Sequence, residues 1–128
     1  MEFKTSWKAS KQPKKQRKYR SNAPPHIKRK FISSHLSKEL RQKHNKRSIP
    51  LRKGDKVKIL RGNFKGKNGV VERISSKRDK VYINGIEVIK KDGTKQLTPL
   101  RPSNLLITQL NMDDKKRKIK LENKNDKK

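Results

Sequence analysis

Three histidines are the residues most able to bind a metal ion, but their spacing argues against it. His26, His35 and His44 are each nine residues apart. On one continuous helix, neighbouring histidines at that spacing would be separated by about two and a half turns and lie on opposite faces. The chain has no cysteine, which excludes zinc sites built on thiolates. We therefore predict no metal site, and assign the histidines to a helix surface or to contact with phosphate or base.

Catalytic groups are also poorly placed. Asp113 and Asp114 are adjacent in a charged segment, which is not the arrangement of a general acid and a general base that face one substrate. Serines are frequent, but no base is spaced to activate one of them. We predict that the chain is not an enzyme and that it has no cofactor and no small-molecule substrate.

A loop with three glycines, Gly62, Gly66 and Gly69 in GNFKGKNG, is the most distinctive local feature. It lacks the Lys-Ser or Lys-Thr ending and the following helix of a nucleotide-binding phosphate loop. Glycine permits positive φ and close backbone approach, so these residues are interpreted as shaping a tight turn. Phe64 either caps the core or stacks on a base, and the scarcity of large apolar residues favours the core.

The same turn carries cations. Arg61, Lys65, Lys67 and Asn68 are expected to project from it, and a rigid turn loses little backbone entropy when it binds. Such side chains suit contact with phosphates, which fix the position of a protein on nucleic acid. The alternative is a solvated lysine surface.

The composition requires a polyanionic partner. The 128 residues include 39 Lys and Arg against 11 Asp and Glu, for a net charge of +28, and only 27% are hydrophobic. A charge of this size opposes compaction through self-repulsion, and nucleic acid is the common polyanion that relieves it. No apolar run approaches the ~20 residues of a membrane span, and no strongly apolar face accompanies the basic residues. We predict no membrane insertion.

The charge density predicts three segments. Residues 1–48 are a basic extension with net charge +14, residues 49–110 are the folding unit with net charge +10, and residues 111–128 are a charged tail with net charge +4. Residues 1–22 have few apolar side chains and should be disordered when free. Residues 23–48 are expected to form two short helices, the first beginning near Pro24 and Pro25 and the second capped by Ser37.

Alternating apolar residues predict short strands in the folding unit. Val57 and Ile59 share one face of the first strand, and the second strand, residues 70–74, has imperfect parity that indicates a bulge near Glu72. Further inward residues are predicted to be Val81, Ile83, Ile86 and Val88. Asn84-Gly85 is either a hairpin turn between two strands or a kink in one bent strand.

Two later signals complete the sheet. Asp92-Gly93 marks a turn, and NLLIT reads as a short closing strand. Four or five short antiparallel strands of this kind favour a mainly β fold, a small closed barrel whose closure removes free edges. The last segment is expected to form a short helix around Ile119 and then fray, with no assigned chemistry.

The stretch RKGDKVKILRGNFKGKNGVVERI resembles the KOW motif, a strand-loop-strand unit of ribosomal proteins and transcription elongation factors. Its flanks, KQPKKQRKYRSNAPPHIKRKFISSHLSKELRQKHNKRSIPLRKGD and RPSNLLIT, resemble the universal large-subunit ribosomal protein twenty-four family, called twenty-six in eukaryotes. The resemblance covers roughly residues 6–120. The long N-terminal extension indicates the archaeal or eukaryotic type, and the short C-terminal tail favours the archaeal one.

The resemblance implies an SH3-like barrel in a structural constituent of the large ribosomal subunit. Such proteins bind the 5′ region of large-subunit ribosomal RNA directly, act early in subunit assembly and lie near the polypeptide exit tunnel. The implied location is cytoplasmic and ribosome-bound. The expected partners are this RNA, neighbouring large-subunit ribosomal proteins and factors docked at the tunnel exit.

The predicted RNA contacts fall into two sets. Arginine suits forked phosphate contacts and lysine suits diffuse attraction. The set in the extension is Arg17, Arg20, Lys28, Arg29, Lys30 and Arg47, and the set in the barrel is Lys58, Arg61, Lys65 and Lys67. The competing interpretation is a KOW-containing transcription elongation module that contacts RNA polymerase, which would carry less charge and a neighbouring domain.

Overall fold

A computed structural model describes residues 3–122 of the chain. The α-helices of this part are α1 (Pro13–Asn22), α2 (Pro25–Phe31), α3 (Lys38–His44) and α4 (Lys115–Glu122). The strands are β1 (Ser33–Leu36), β2 (Ser48–Pro50), β3 (Lys56–Ile59), β4 (Asn68–Ser75), β5 (Lys80–Ile89), β6 (Lys95–Leu100) and β7 (Leu105–Gln109). Short 3₁₀ turns span Thr5–Ala9 and Pro102–Asn104.

The strands form one mixed sheet in the order β2-β1-β7-β3-β4-β5-β6. Neighbouring strands are antiparallel except β1 and β7, which are parallel. The fold is mainly β and consistent with a small SH3-like barrel, as predicted. The predicted closure is wrong, because β1 occupies the edge of β7 with which a closing strand would have to pair. Strands β2 and β6 are therefore edges.

The two predicted short helices are present as α2 and α3, and strand β1, which was not predicted, lies between them. Ile32, Ser34 and Leu36 are buried, and the residues between them are half-buried. This is the period of two of a strand. The spacing of four between Ile32 and Leu36 fits a strand as well as a helix, so the spacing alone could not decide. Ser34 Oγ donates a hydrogen bond to the carbonyl of Pro102 at 2.6 Å. This bond fixes β1 beside the 3₁₀ turn at Pro102–Asn104.

The helices on either side of β1 begin where the sequence predicted. Helix α2 starts at Pro25, and α3 starts directly after Ser37. Ser37 makes no capping hydrogen bond with its side chain. Instead its backbone N–H donates to the carbonyl of Ile107 at 3.0 Å, so the start of α3 is tied to β7.

The predicted bulge in β4 is confirmed. The register between β4 and β5 shifts between Val71 and Arg73, which leaves Glu72 as the extra residue. The turn between β5 and β6 is also confirmed, with Gly93 at φ +87°. In that turn Asp92 accepts hydrogen bonds from the hydroxyl and the N–H of Thr94, and these bonds lower the pKa of the carboxyl group.

The Asn84-Gly85 pair is a kink and not a hairpin turn. Strand β5 runs through it without a break, Gly85 has φ +85°, and the register of pairing with β6 shifts between Tyr82 and Glu87, across the pair. Ile83 and Ile86 both face inward although they are three residues apart. Val88 shares the inward face with Ile86, but the end of β5 extends past the core, where Val88 is 52% and Ile89 is 69% exposed. The predicted burial of Val88 is therefore wrong.

The hydrophobic core draws on all three predicted segments. Ile32 and Leu36 come from the extension and Leu121 from the C-terminal segment, and all three belong to the same buried cluster as Val57 and Ile107. The division at residues 48 and 110 stays a proposal about which part folds alone. Packing crosses both boundaries in the native chain.

The predictions for the two ends of the chain have different outcomes. The predicted C-terminal helix is confirmed by α4, and the predicted fraying falls on residues 123–128, outside the described residues. In the extension, Tyr19 of α1 is buried between Phe3 and Phe31, with ring centroids 5.0 Å and 6.1 Å away. The prediction that residues 1–22 are disordered when free concerns the isolated chain and stays a prediction.

Candidate nucleic-acid interface

The loop between β3 and β4 is a tight, internally bonded hairpin. Ile59 donates its N–H to the carbonyl of Lys67 at 2.9 Å and accepts from the N–H of Gly66 at 2.8 Å. Leu60 is tied to the 3₁₀ turn by a 2.8 Å bond to the carbonyl of Asn104. These bonds hold the loop against the sheet, so its side chains project from a fixed backbone.

The three loop glycines are suited to their positions for two different structural reasons. Gly62 and Gly66 have φ of +97° and +87°, a conformation that costs other residues energy. Gly69 instead lies against β5, where an added Cβ would be 2.4 Å from Cγ2 of Ile83 and 3.1 Å from the carbonyl oxygen of Asn84. The predicted roles of positive φ and close approach are thus divided among these residues.

The cations of the loop and of the strand before it are all exposed. Phe64 packs against the core, as favoured from the sequence, and the Lys67 ammonium group lies 5.2 Å from its ring centroid. The other cations, Lys58 on the outer face of β3 and Arg61 and Lys65 in the loop, are exposed. We call Lys58, Arg61, Lys65 and Lys67 the hairpin set.

The first two predicted contacts of the extension lie on α1. Arg17 and Arg20 are three residues apart and exposed, so they share one side of the helix. The Arg20 guanidinium lies 5.0 Å from the ring centroid of Phe31 and 3.5 Å from a carboxylate oxygen of Asp79, in the turn between β4 and β5. Arg20 therefore links α1 both to α2 and to the sheet.

The other contacts of the extension are spread over α2 and a loop. Lys28, Arg29 and Lys30 are consecutive, so each points about 100° from the next around α2. Arg29 and Lys30 are exposed, whereas Lys28 is half-buried. Arg47, exposed between α3 and β2, has a carbonyl that accepts from the N–H of Leu36 at 3.1 Å. We call Arg17, Arg20, Lys28, Arg29, Lys30 and Arg47 the extension set.

A buried ion pair was missed by sequence reasoning. Asp55 is 0% exposed and Arg117 is 7% exposed, and two parallel hydrogen bonds of 2.7 and 2.8 Å join them. Asp55 also accepts from the N–H groups of Arg52 at 3.0 Å and Asn111 at 2.8 Å. Arg117 further donates to the carbonyl of Asn111 at 2.9 Å and to that of Pro50 at 3.3 Å. The pair fastens α4 to the start of β3.

A weak signal for this pair existed in the sequence. Arg117 and Leu121 are four residues apart and therefore share a helix face, which places the arginine beside an apolar side chain. Arg117 nevertheless lies in KKRKIK, where composition does not separate one cation from the next. Only the docking of α4 shows which of them is buried.

The histidines lie on three different elements. His26 is exposed on α2, His35 is half-buried on β1 and His44 is buried at the end of α3. Burial, followed by the charges of Lys43 and Lys46, lowers the pKa of His44. Within residues 3–122, no three His, Cys, Asp or Glu side chains are grouped so as to hold a metal ion.

A family profile described as "Ribosomal proteins L26 eukaryotic, L24P archaeal" matches residues 10–124. The chain belongs to this family. Two relatives in it are each named "Large ribosomal subunit protein uL24". The relative from Methanoculleus marisnigri is 49% identical over 112 residues, and that from Methanospirillum hungatei is 46% identical over 112 residues. Each alignment covers 88% of this chain and 93% of the relative.

Membership in the ribosomal protein family confirms the resemblance read from the KOW motif and its flanks. A protein of this family is a structural constituent of the ribosome and not an enzyme. The matched range includes the hairpin set and the whole extension set. Within the described residues, no helix is both long enough and apolar enough to cross a membrane.

Proposed function

We propose that the chain is a structural constituent of the large ribosomal subunit and binds large-subunit ribosomal RNA directly through the hairpin set and the extension set. The family match across residues 10–124 is the observation that carries this proposal. The exposed positions of nine of the ten cations support it. A ribosome-bound, cytoplasmic location follows from the same assignment.

The resemblance of the sequence supplies finer expectations. The chain would bind the 5′ region of the RNA, join the subunit early in assembly and lie near the polypeptide exit tunnel. Neighbouring large-subunit proteins are its further partners, and factors docked at the tunnel exit are candidates. The predicted division into three segments would fit this role, because a folded unit can anchor while a basic extension follows the RNA.

The hairpin set would act as a preformed phosphate clamp. Its backbone is already held by hydrogen bonds to Ile59 and Asn104, so binding costs little loop entropy. Folded RNA is recognised mainly by its shape and by the position of its phosphates. A rigid array of cations suits such a target, because each ammonium or guanidinium group meets a phosphate at a fixed place and releases counterions.

The extension set would contact RNA on several sides of the extension. Its six cations lie on α1, on α2 and in the loop before β2, and they point in several directions. Such an arrangement can contact RNA on more than one side, as it would when a helix enters a gap between RNA helices. Ordering of the extension on binding lowers the affinity but allows a large surface to be covered.

Charge reversal tests the clamp directly. We expect Arg61→Glu with Lys65→Glu to weaken binding to large-subunit ribosomal RNA by at least about tenfold, and to lower the slope of log affinity against log salt by about two. Filter binding across a salt series measures both quantities. Lys90→Glu with Lys91→Glu, in the exposed turn between β5 and β6, carries the same charge change and should have a smaller effect. Equal affinities for the hairpin variant and the wild type would remove this surface from the proposal.

Sedimentation separates the ribosomal role from the elongation-module alternative. Cell extract is run on a sucrose gradient after a moderate salt wash, and the fractions are probed for the chain. We expect the chain to co-migrate with large subunits. Co-migration with RNA polymerase instead would favour the KOW-containing elongation module and contradict the proposed function.

A further inference from the structure

A cleft of about 300 Å³ opens between β2 and α4. None of the ten predicted RNA contacts lines it, although Arg47 of the extension set lies between the lining residues Lys46 and Ser48. Its lining includes the buried apolar residues Ile49 and Leu121 and the exposed Pro50, which we call the floor. The rest of the lining is polar or basic and includes Lys46, Ser48, Arg52, Lys116 and Lys120, which we call the rim. Its volume is at the lower end of the usual range for ligand pockets, about 300–1,000 Å³. That is room for one or two aliphatic side chains but not for a large cofactor.

The floor of the cleft is built rigidly. Ile49 and Leu121 are members of the buried core. The Arg117 guanidinium holds α4 in place through Asp55 and through its 3.3 Å bond to the carbonyl of Pro50. A ligand would therefore meet a preformed surface, and little binding energy would be lost in ordering it.

The rim gives the cleft a positive field. Lys116 and Lys120 are exposed and stand one helical turn apart on the same side of α4. Arg52 on the opposite side is bonded to Asp114, which is not a lining residue. No aspartate or glutamate of the described chain lines the cleft, but the carboxylates of Asp114 and Asp55 are bonded to its two arginines. The positive charge offered to an anionic ligand therefore comes from the lysines.

The combination of floor and rim favours protein over RNA. Proteins usually hold unpaired bases by stacking them on aromatic rings or on free arginine planes. No aromatic residue of the described chain lines this cleft, and both of its arginines are bonded to carboxylates. A phosphate backbone alone would gain nothing from an apolar floor. An aliphatic side chain flanked by carboxylates would use both features.

We propose that the cleft between β2 and α4 docks an acidic segment of a partner protein, with an aliphatic side chain on the floor and flanking carboxylates at Lys116 and Lys120. The chain's own last six residues do not complement it, because they carry three lysines and one aspartate. This docking site goes beyond the proposed RNA binding and does not depend on it, so either can fail without the other.

A designed peptide tests the site. The probe is a capped hexapeptide, Glu-Asp-Leu-Leu-Asp-Glu, and its control has serine at both leucine positions. The full-length chain, labelled with ¹⁵N, is titrated at physiological salt. We expect amide shifts at Ile49 and Leu121, and an affinity for the serine control weaker by about tenfold or more, because the control loses two buried aliphatic side chains. Equal affinity for the two peptides would overturn the proposal.

A matched pair of variants tests the rim. Lys116→Glu with Lys120→Glu should weaken binding of the leucine peptide by about tenfold. Lys14→Glu with Lys18→Glu on α1 has the same spacing and charge change, and should alter binding by less than about twofold. Equal weakening by the two variants would show nonspecific attraction to a basic chain. Displacement of the peptide from the same amides by a uridine hexanucleotide would assign the cleft to RNA, contrary to the proposal.

Discussion

The two ends of the chain are both basic but are attached to the fold in different ways. Helix α4 is fastened by the Asp55–Arg117 pair and by Leu121, which is 2% exposed in the core. Helix α1 is attached by the aromatic contacts of Tyr19 and by an exposed 3.5 Å bridge between Arg20 and Asp79. The comparison shows that a basic segment is part of the fold where one of its cations is buried and paired. Where the cations stay in solvent, they are available to a polyanion.

The largest expected effect comes from breaking the buried pair. Asp55→Ala would leave the Arg117 guanidinium buried without its carboxylate and would remove acceptors from two backbone N–H groups. Removing one partner of a buried pair typically costs about 3–5 kcal/mol. We expect the free energy of unfolding, measured with urea, to fall by that amount. A cost under about 1 kcal/mol would mean that α4 is not fastened to the sheet in this way.

Shortening a buried side chain of α4 should give the second largest loss of unfolding free energy. An exposed side chain of the same helix serves as the control. Leu121→Ala removes a core side chain and should cost about 2–3 kcal/mol of unfolding free energy. Ile119→Ala, two residues away on the same helix but 54% exposed, should change it by less than about 0.5 kcal/mol. Similar costs at the two positions would contradict the docking of α4 by one face.

The bridge of the extension should matter much less than the buried pair. Asp79→Ala removes the partner of Arg20, and exposed ion pairs contribute roughly 0–1 kcal/mol. We expect a change in that range that shrinks further as salt is added, because solvent-exposed charges are screened. A loss of unfolding free energy that does not depend on salt and is as large as that of Asp55→Ala would contradict the proposed difference between the two ends.

The smallest expected effect is a pH dependence from His44. Its pKa in the folded chain is lowered from the ordinary 6.5 by burial and by nearby lysines, so the unfolded chain binds more protons around and below that pH. The contribution of this pKa shift to the free energy of unfolding should therefore be fully present above pH 6.5. It should be lost as the pH falls from 6.5 towards the lowered pKa of the folded chain. His44→Gln should flatten this part of the profile of unfolding free energy against pH, while His26 and His35 remain. An unchanged slope in the variant would show that His44 is not its source.

The sequence predicted those features that depend on local pattern. The bulge at Glu72 followed from broken alternation, and the turn at Asp92-Gly93 followed from turn chemistry. Strand β1 between the two predicted helices was not predicted, because a spacing of four residues satisfies both helical and extended periods. The openness of the sheet depends on which strand takes the edge of β7, and that is a long-range choice with no local signature.

For the candidate site, the exposure of the loop cations could be predicted from local pattern in the same way. The exposed cations of the loop could be chosen because the glycines and Phe64 define a turn around them. In contrast, Arg117 could not be separated from its neighbours, since burial of a cation depends on a carboxylate 62 residues away in sequence. The cleft behind α4 was unpredictable for the same reason, because the sequence does not place β2 beside that helix.

Amide hydrogen exchange of the full chain, alone and bound to large-subunit ribosomal RNA, tests the contrast between the two ends most directly. We predict that the amides of α4 are protected in both states, because the helix is held by the Asp55–Arg117 pair. Those of α1 and α2 should exchange fast in the free chain and become protected only with RNA. Strong protection of α1 and α2 in the absence of any polyanion would contradict the account.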